Sequence, residues 1–147
     1  MATRPITSEE KASADEMLRK ARVALKAIEH YDQACVDRLC QAIAWGVANE
    51  KTFTRIAQMG VEESQLGDPV GRVSKRFKVM GILRDILRQK SVGIIEGIPE
   101  KGIVKYAKPI GVIVSLIPTT NPELTPPGVG LFALVSRRCD FCPASEK

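Results

Sequence analysis

The segment Ile110-Gly-Val-Ile-Val-Ser-Leu-Ile117 constrains this chain more than any other. Apolar residues fall on both alternating faces of the run, and Pro109 and Pro118 close its ends. A strand with one wet face alternates apolar and polar residues. One that is apolar on both faces has to be covered on both, as inside a parallel sheet. The other β-prone stretches are Ser91–Ile98 and Gly102–Ala107, separated by Pro99-Glu-Lys. They read as two short extended strands, expected as a hairpin. A parallel strand also needs neighbours on its own sheet. The pattern therefore predicts an α/β domain of which only the first strands are present.

Everything before Lys90 reads as helix. Thr7-Ser-Glu-Glu10 has capping-box spacing, and Ala14, Met17, Leu18, Ala21, Leu25 and Ile28 follow on one face of a 3.6-residue period. Asp32 is placed to cap a second helix with the stripe Val36, Leu39, Cys40, Ile43 and Val47. Phe53, Ile56 and Ala57 open a third, shorter helix expected to end near Gly60. A fourth begins after Asp68-Pro69, since proline is well tolerated at the first helical position. Its apolar positions are Val73, Phe77, Met80, Ile82, Leu83, Ile86 and Leu87. There is no internal repeat and no low-complexity linker.

The formal net charge is +5 on 147 residues. The basic side chains Arg72, Lys75, Arg76, Lys78, Arg84, Arg88 and Lys90 spread around the fourth helix and form no stripe. They are expected to be a solvated helix surface, not a nucleic-acid face. No apolar leader follows Met1, and the longest apolar run, Ile110–Pro118, is far below the ~18–20 residues that span a bilayer. A cytoplasmic, membrane-free protein with reduced thiols is expected. Aromatic residues make up 5% of the chain, so the core should rest on Ala, Val, Leu and Ile.

Cys139-Asp-Phe-Cys142 is a CxxC, half of a zinc site at most. Cys35 and Cys40 would have to supply the other half. Five residues apart on a helix, they point about 140° apart and cannot meet one ion. With His30 the only histidine, neither a metal site nor a Ser-His-Asp triad is expected. Gly128-Val-Gly130-Leu-Phe-Ala133 loosely fits a dinucleotide fingerprint, but that fingerprint must follow a strand directly. Here a loop and Pro126-Pro127 intervene, so a glycine-containing helix is expected. Glu62 and Glu63 read as surface carboxylates at a helix end.

The loop Pro118-Thr-Thr-Asn-Pro122 carries the most chemistry. Ligands of open α/β sheets bind beyond the carboxyl ends of strands. A small, stiff, polar loop there offers the Asn121 amide as a donor to a developing oxyanion. Ordinary turn chemistry, with Asn before Pro, accounts for the same residues.

The stretch Gly102-Ile-Val-Lys-Tyr-Ala-Lys-Pro-Ile-Gly-Val-Ile-Val-Ser-Leu-Ile-Pro-Thr-Thr-Asn-Pro122 closely resembles the CoA-acylating aldehyde dehydrogenases. That family includes acetaldehyde and sulfoacetaldehyde dehydrogenases and the aldehyde half of aldehyde–alcohol dehydrogenases. Met59-Gly-Val-Glu-Glu-Ser-Gln-Leu-Gly67 and Ser91-Val-Gly-Ile-Ile-Glu96 agree with it, and the resemblance runs from about Ala14 to about Leu134. It implies the amino-terminal helices and first strands of a Rossmann-like cofactor domain, incomplete in this chain. It implies that Ile117, Pro118, Thr119 and Thr120 line a cleft for NAD or NADP, and that Asn121 is the side-chain oxyanion donor. It also implies oxidation of a small aldehyde, acetaldehyde or sulfoacetaldehyde, to its acyl-CoA, with coenzyme A as co-substrate and a homo-oligomer in the full-length enzyme. The reaction needs a cysteine thiolate. None of the four cysteines here matches that position, so this chain is expected to be an inactive fragment. The alternative is a non-enzymatic helical module for binding or oligomerisation.

Residues 1–134 are thus expected to be the family segment and 135–147 a frame-shifted tail. Read one nucleotide later, the codons from Ser136 onward permit Arg-Gly-Ala-Val-Ile-Phe-Ala-Pro-His-Pro-Arg. That is an apolar strand followed by a Pro-His-Pro loop, which is how the family continues.

Overall fold

The computed structural model describes residues 4–136. The tail assigned to a shifted frame, with Cys139 and Cys142, lies outside the described residues apart from its first two positions. The elements, in order, are α1 (Ser8–Ala27), α2 (Gln33–Ala48), α3 (Glu50–Ser64), α4 (Pro69–Val73), α5 (Arg76–Ile86), β1 (Ile94–Ile98), β2 (Ile103–Tyr106) and α6 (Thr125–Val135).

The helix starts follow their local chemistry. The Thr7 hydroxyl accepts from the Glu10 amide, and the Glu10 carboxylate accepts from the Thr7 amide, a complete capping box. Asp32 accepts from the Cys35 amide at the start of α2. Asn49 accepts from the Thr52 amide and starts α3 directly after α2. Asp68 accepts from the Gly71 amide, with Pro69 in the first turn of α4. Each cap satisfies an amide that the helix itself leaves without a partner.

The core lies among α2, α3, α5 and α6. Val36, Cys40, Ala44, Ala48, Phe53, Ala57, Val79, Ile86 and Leu131 are buried there together. Small residues dominate where helices cross, as the composition implied. One aromatic, Phe53, nonetheless sits at the centre with no exposed surface. Gln33 ties the start of α2 to the exit from α5. Its side-chain oxygen accepts from the Ser91 and Val92 amides at 2.9 and 3.1 Å.

The hairpin forms as expected. β1 and β2 pair antiparallel with Ile98 opposite Ile103, and a 3-10 turn at Pro99–Lys101 ends on Gly102 in the left-handed region. Three expectations need correction. The third helix does not stop near Gly60 but runs on to Ser64 and ends on left-handed Gln65. The fourth helix is two helices, α4 and α5, joined through Ser74 and Lys75. Both joining residues keep right-handed helical dihedrals. The backbone there changes from i→i+4 to i→i+3 bonding, with Lys75 N on Arg72 O and Lys78 N on Lys75 O. Such a tighter turn redirects the axis without a Gly or Pro to announce it. Phe77 and Met80, counted as core positions of one long helix, are therefore 62% and 50% exposed.

The third correction is the largest. Residues 110–117 form no strand. The hairpin is the only sheet among the described residues, and its pairing ends near Ala107, whose amide donates to Gly93 O. Ile110, Val114 and Leu116 are 70%, 69% and 79% exposed. The segment is apolar enough for a sheet interior, but nothing described here pairs with it.

Candidate functional site

The loop after this segment is held firmly. The Asn121 amide donates to Pro118 O at 3.4 Å and closes a turn around Thr119 and Thr120. Asn121 O then accepts from the Leu124 and Thr125 amides at 3.3 and 3.0 Å, which fixes the loop to the start of α6. Pro118, Thr119 and Thr120 are exposed, and Ile117 and Asn121 are half-buried. Four of the residues singled out from the sequence, Pro118, Thr119, Thr120 and Asn121, thus form one tight turn, and Ile117 directly precedes it. Gly128 and Gly130 lie inside α6 and not on a strand-to-helix turn, as the spacing from the preceding segment implied. Glu62 and Glu63 are exposed.

Beneath the turn is a charge cluster that the sequence did not reveal. Glu123, two residues after Asn121, has a fully buried carboxylate. It accepts from Arg72 Nη1 at 3.0 Å and from Lys75 Nζ at 2.9 Å. Arg72 is itself 95% buried at its side chain, with 5% exposed, and its Nη2 donates to Leu66 O at 2.8 Å. Lys75 Nζ also donates to Asn121 Oδ1 at 2.6 Å. Arg72 and Lys75 are therefore not part of a solvated basic surface. They are three residues apart across the i→i+3 turn between α4 and α5. In that geometry side chains at i and i+3 eclipse, so both reach the same carboxylate.

Gly60 makes room for the cluster. A Cβ at this position would lie 3.0 Å from Arg72 Nη1 and 3.0 Å from Pro122 Cγ. Two cations around one buried anion satisfy the rule that buried charge must be paired and hydrogen-bonded. Only the i, i+3 spacing of Arg72 and Lys75 hinted at this in the sequence, and many solvated helices share that spacing.

Cys40 is buried in the core, and burial pushes its thiol up to about 11. Cys35 is half-buried, and its Sγ accepts from Arg38. Neither lies in the loop or its charge cluster. Among the described residues no group of three His, Cys, Asp or Glu side chains is arranged to hold a metal.

The described fold is similar to that of a solved aldehyde dehydrogenase. The acetylating aldehyde dehydrogenase of Geobacillus thermoglucosidasius superposes with a TM-score of 0.83 at 28% identity, over 92% of this chain and 30% of that one. The described fold is thus part of an aldehyde dehydrogenase α/β domain. The sulfoacetaldehyde dehydrogenase of an Acholeplasma species is 42% identical over 118 residues, 80% of this chain and 24% of that protein. The acylating sulfoacetaldehyde dehydrogenase of Bilophila wadsworthia is 39% identical over 133 residues, 89% of this chain and 29% of its own length. Across this stretch the chain belongs to the acylating aldehyde dehydrogenase family. It spans about a quarter of the length of these relatives. No family model matches the chain.

Proposed function

We propose that this chain is the segment of a CoA-acylating aldehyde dehydrogenase that carries the side-chain oxyanion donor, Asn121. The complete enzyme would oxidise a small aldehyde, sulfoacetaldehyde or acetaldehyde, to its acyl-CoA. The observation that carries this reading is the hydrogen bond from Lys75 Nζ to Asn121 Oδ1. With its oxygen turned toward a cation, the Asn121 amide directs its Nδ2 hydrogens the other way. Those hydrogens are the donors needed when a thiolate adds to a carbonyl and negative charge gathers on the oxygen.

The turn at Pro118–Asn121 also fits a nucleotide cofactor. Thr119 and Thr120 are exposed residues whose hydroxyls are able to hydrogen-bond a ribose or phosphate, and half-buried Ile117 and exposed Pro118 are apolar neighbours in the chain. NAD or NADP, when bound, supplies the hydride acceptor. The turn's part is to hold the cofactor and to keep Asn121 beside the carbonyl. The thiolate and most of the CoA site are assigned to the remainder of the full-length enzyme, which is proposed to work as a homo-oligomer.

A chimera tests the assignment. Residues 1–134 replace the matching segment of the Bilophila wadsworthia enzyme. The chimera is expected to form NADH from sulfoacetaldehyde only when CoA is present. Asn121→Ala within it is expected to lower turnover by roughly 10²–10³, the usual cost of one oxyanion donor. A folded chimera without CoA-dependent turnover, or one indifferent to Asn121→Ala, overturns the reading. The 147-residue chain alone is expected to form no NADH in the same assay.

A further inference from the structure

We infer that Lys75 is the positioning residue that sets which way the Asn121 amide faces, and that the buried Arg72–Glu123 pair holds Lys75 in place. The inference rests on the proposal that Asn121 is the oxyanion donor, and it adds the device that makes it one.

An asparagine amide has an acceptor end and a donor end of nearly equal size. Nothing in its shape selects one orientation. A lysine ammonium has three donors and no acceptor. Placed 2.6 Å from one end of the amide, it requires that end to be the oxygen. The flipped amide would set N–H against N–H beside a full positive charge. Lys75 therefore turns Nδ2 away from the cluster. Its charge also draws electron density toward Oδ1, which makes the outward N–H groups better donors.

Lysine is a flexible side chain and needs restraint for this task. Its ammonium is fixed by Glu123 Oε1 at 2.9 Å. The other oxygen of that carboxylate takes Arg72 Nη1 at 3.0 Å, and Arg72 is anchored to Leu66 O at 2.8 Å in the loop between α3 and α4. Orientation thus passes from backbone to Arg72, Glu123, Lys75 and Asn121 through charge-assisted bonds. Such bonds are roughly twice as strong as neutral ones.

The test is made on the 147-residue chain by NMR of the ¹⁵N-labelled Asn121 side-chain amide, a readout that needs no catalysis. In the unaltered chain the Nδ2 protons should show at most a weak cross-peak to the Lys75 Cε protons, because the amide nitrogen lies beyond Oδ1. A strong cross-peak overturns the inference, even if every variant fails to fold. Lys75→Met should displace the Asn121 side-chain resonances while leaving the backbone amides of α2 and α3 unchanged. Lys75→Arg should restore them. Unchanged Asn121 resonances in a folded Lys75→Met chain also overturn it. In the chimera, Lys75→Met should lower kcat by part of the roughly 10²–10³ attached to the donor itself, with KM little changed. If the amide answers to Lys75 and the chimera is inactive, the positioning stands and the aldehyde dehydrogenase reading fails.

Discussion

At the scale of single residues, the site is governed by a charge placed out of water. Glu123 has no exposed side-chain surface, and two cations compensate it. Removing one partner of a buried pair costs about 3–5 kcal/mol, because the survivor stays buried and uncompensated. Gly60 tests how rigid this arrangement is. In an ordinary helix interior, Gly→Ala gains about 1 kcal/mol from backbone entropy. Here the new methyl would meet Arg72, pinned at both ends, and the stiff ring of Pro122, each at 3.0 Å. Gly60→Ala is therefore expected to destabilise the chain by about 1–3 kcal/mol, the range for overpacking. Urea unfolding measures it, and a stabilised variant would mean that the cluster yields easily. Cys40 gives a second prediction. Burial raises its thiol from 9.0 to about 11, so between those values the unfolded chain has released a proton that the folded chain retains. Stability is intact below pH 9 and falls as pH rises toward 11, by at most about 1.4 kcal/mol per pH unit. Denaturation midpoints across this range, compared with those of Cys40→Ala, should show a slope that the variant lacks.

At the scale of elements, what could be read from the sequence was local. Thr7 with Glu10, Asp32 and Pro69 are short-range signals, and each starts a helix where expected. The hairpin was legible for the same reason, through Pro99-Glu-Lys between β-prone runs. The break at Ser74–Lys75 was not, because both residues keep helical dihedrals and neither is a breaker. Arg72, Lys75 and Glu123 were missed because their burial comes from α4 meeting the α6 loop, a contact between residues about fifty positions apart. The turn at Asn121 could be read from its Pro, Thr and Asn residues, and the role of Asn121 only from the family resemblance; the lysine whose ammonium meets its side chain could not be read at all. The capping box of α1 carries its own prediction. The Arg4 guanidinium, and then the Thr7 amide, hold the Glu10 carboxyl down at about 2 from an ordinary 4.5. Its contribution is present above pH 4.5 and is lost as pH falls to about 2. The first turn of α1 should fray across that window, seen as lost protection, relative to the intrinsic exchange rate at each pH, of the Thr7, Glu10 and Lys11 amides. Glu10→Gln should show the same fraying at every pH.

At the scale of the whole molecule, the four-helix core and the apolar segment between hairpin and loop behave differently. The core buries Phe53, Leu131, Val79 and Cys40 completely. Residues 110–117 make no backbone hydrogen bond among the described residues, although their composition suits a sheet interior. An extended apolar segment with free amides is a template for pairing with another strand. Ile110, Val114 and Leu116 face solvent. Two consequences can be separated by experiment. Hydrogen exchange at residues 112–117 should be near the unprotected rate, while the amides of α2 and α3 exchange only through larger openings. The double variant Val114→Lys, Leu116→Lys should raise solubility and suppress concentration-dependent association. It should leave the thermal midpoint within the change of about ±0.5 kcal/mol usual for exposed sites. Slow exchange across 112–117 in dilute, monomeric protein would mean that the segment has found a covering partner within the chain. A large loss of stability in the lysine variant would say the same.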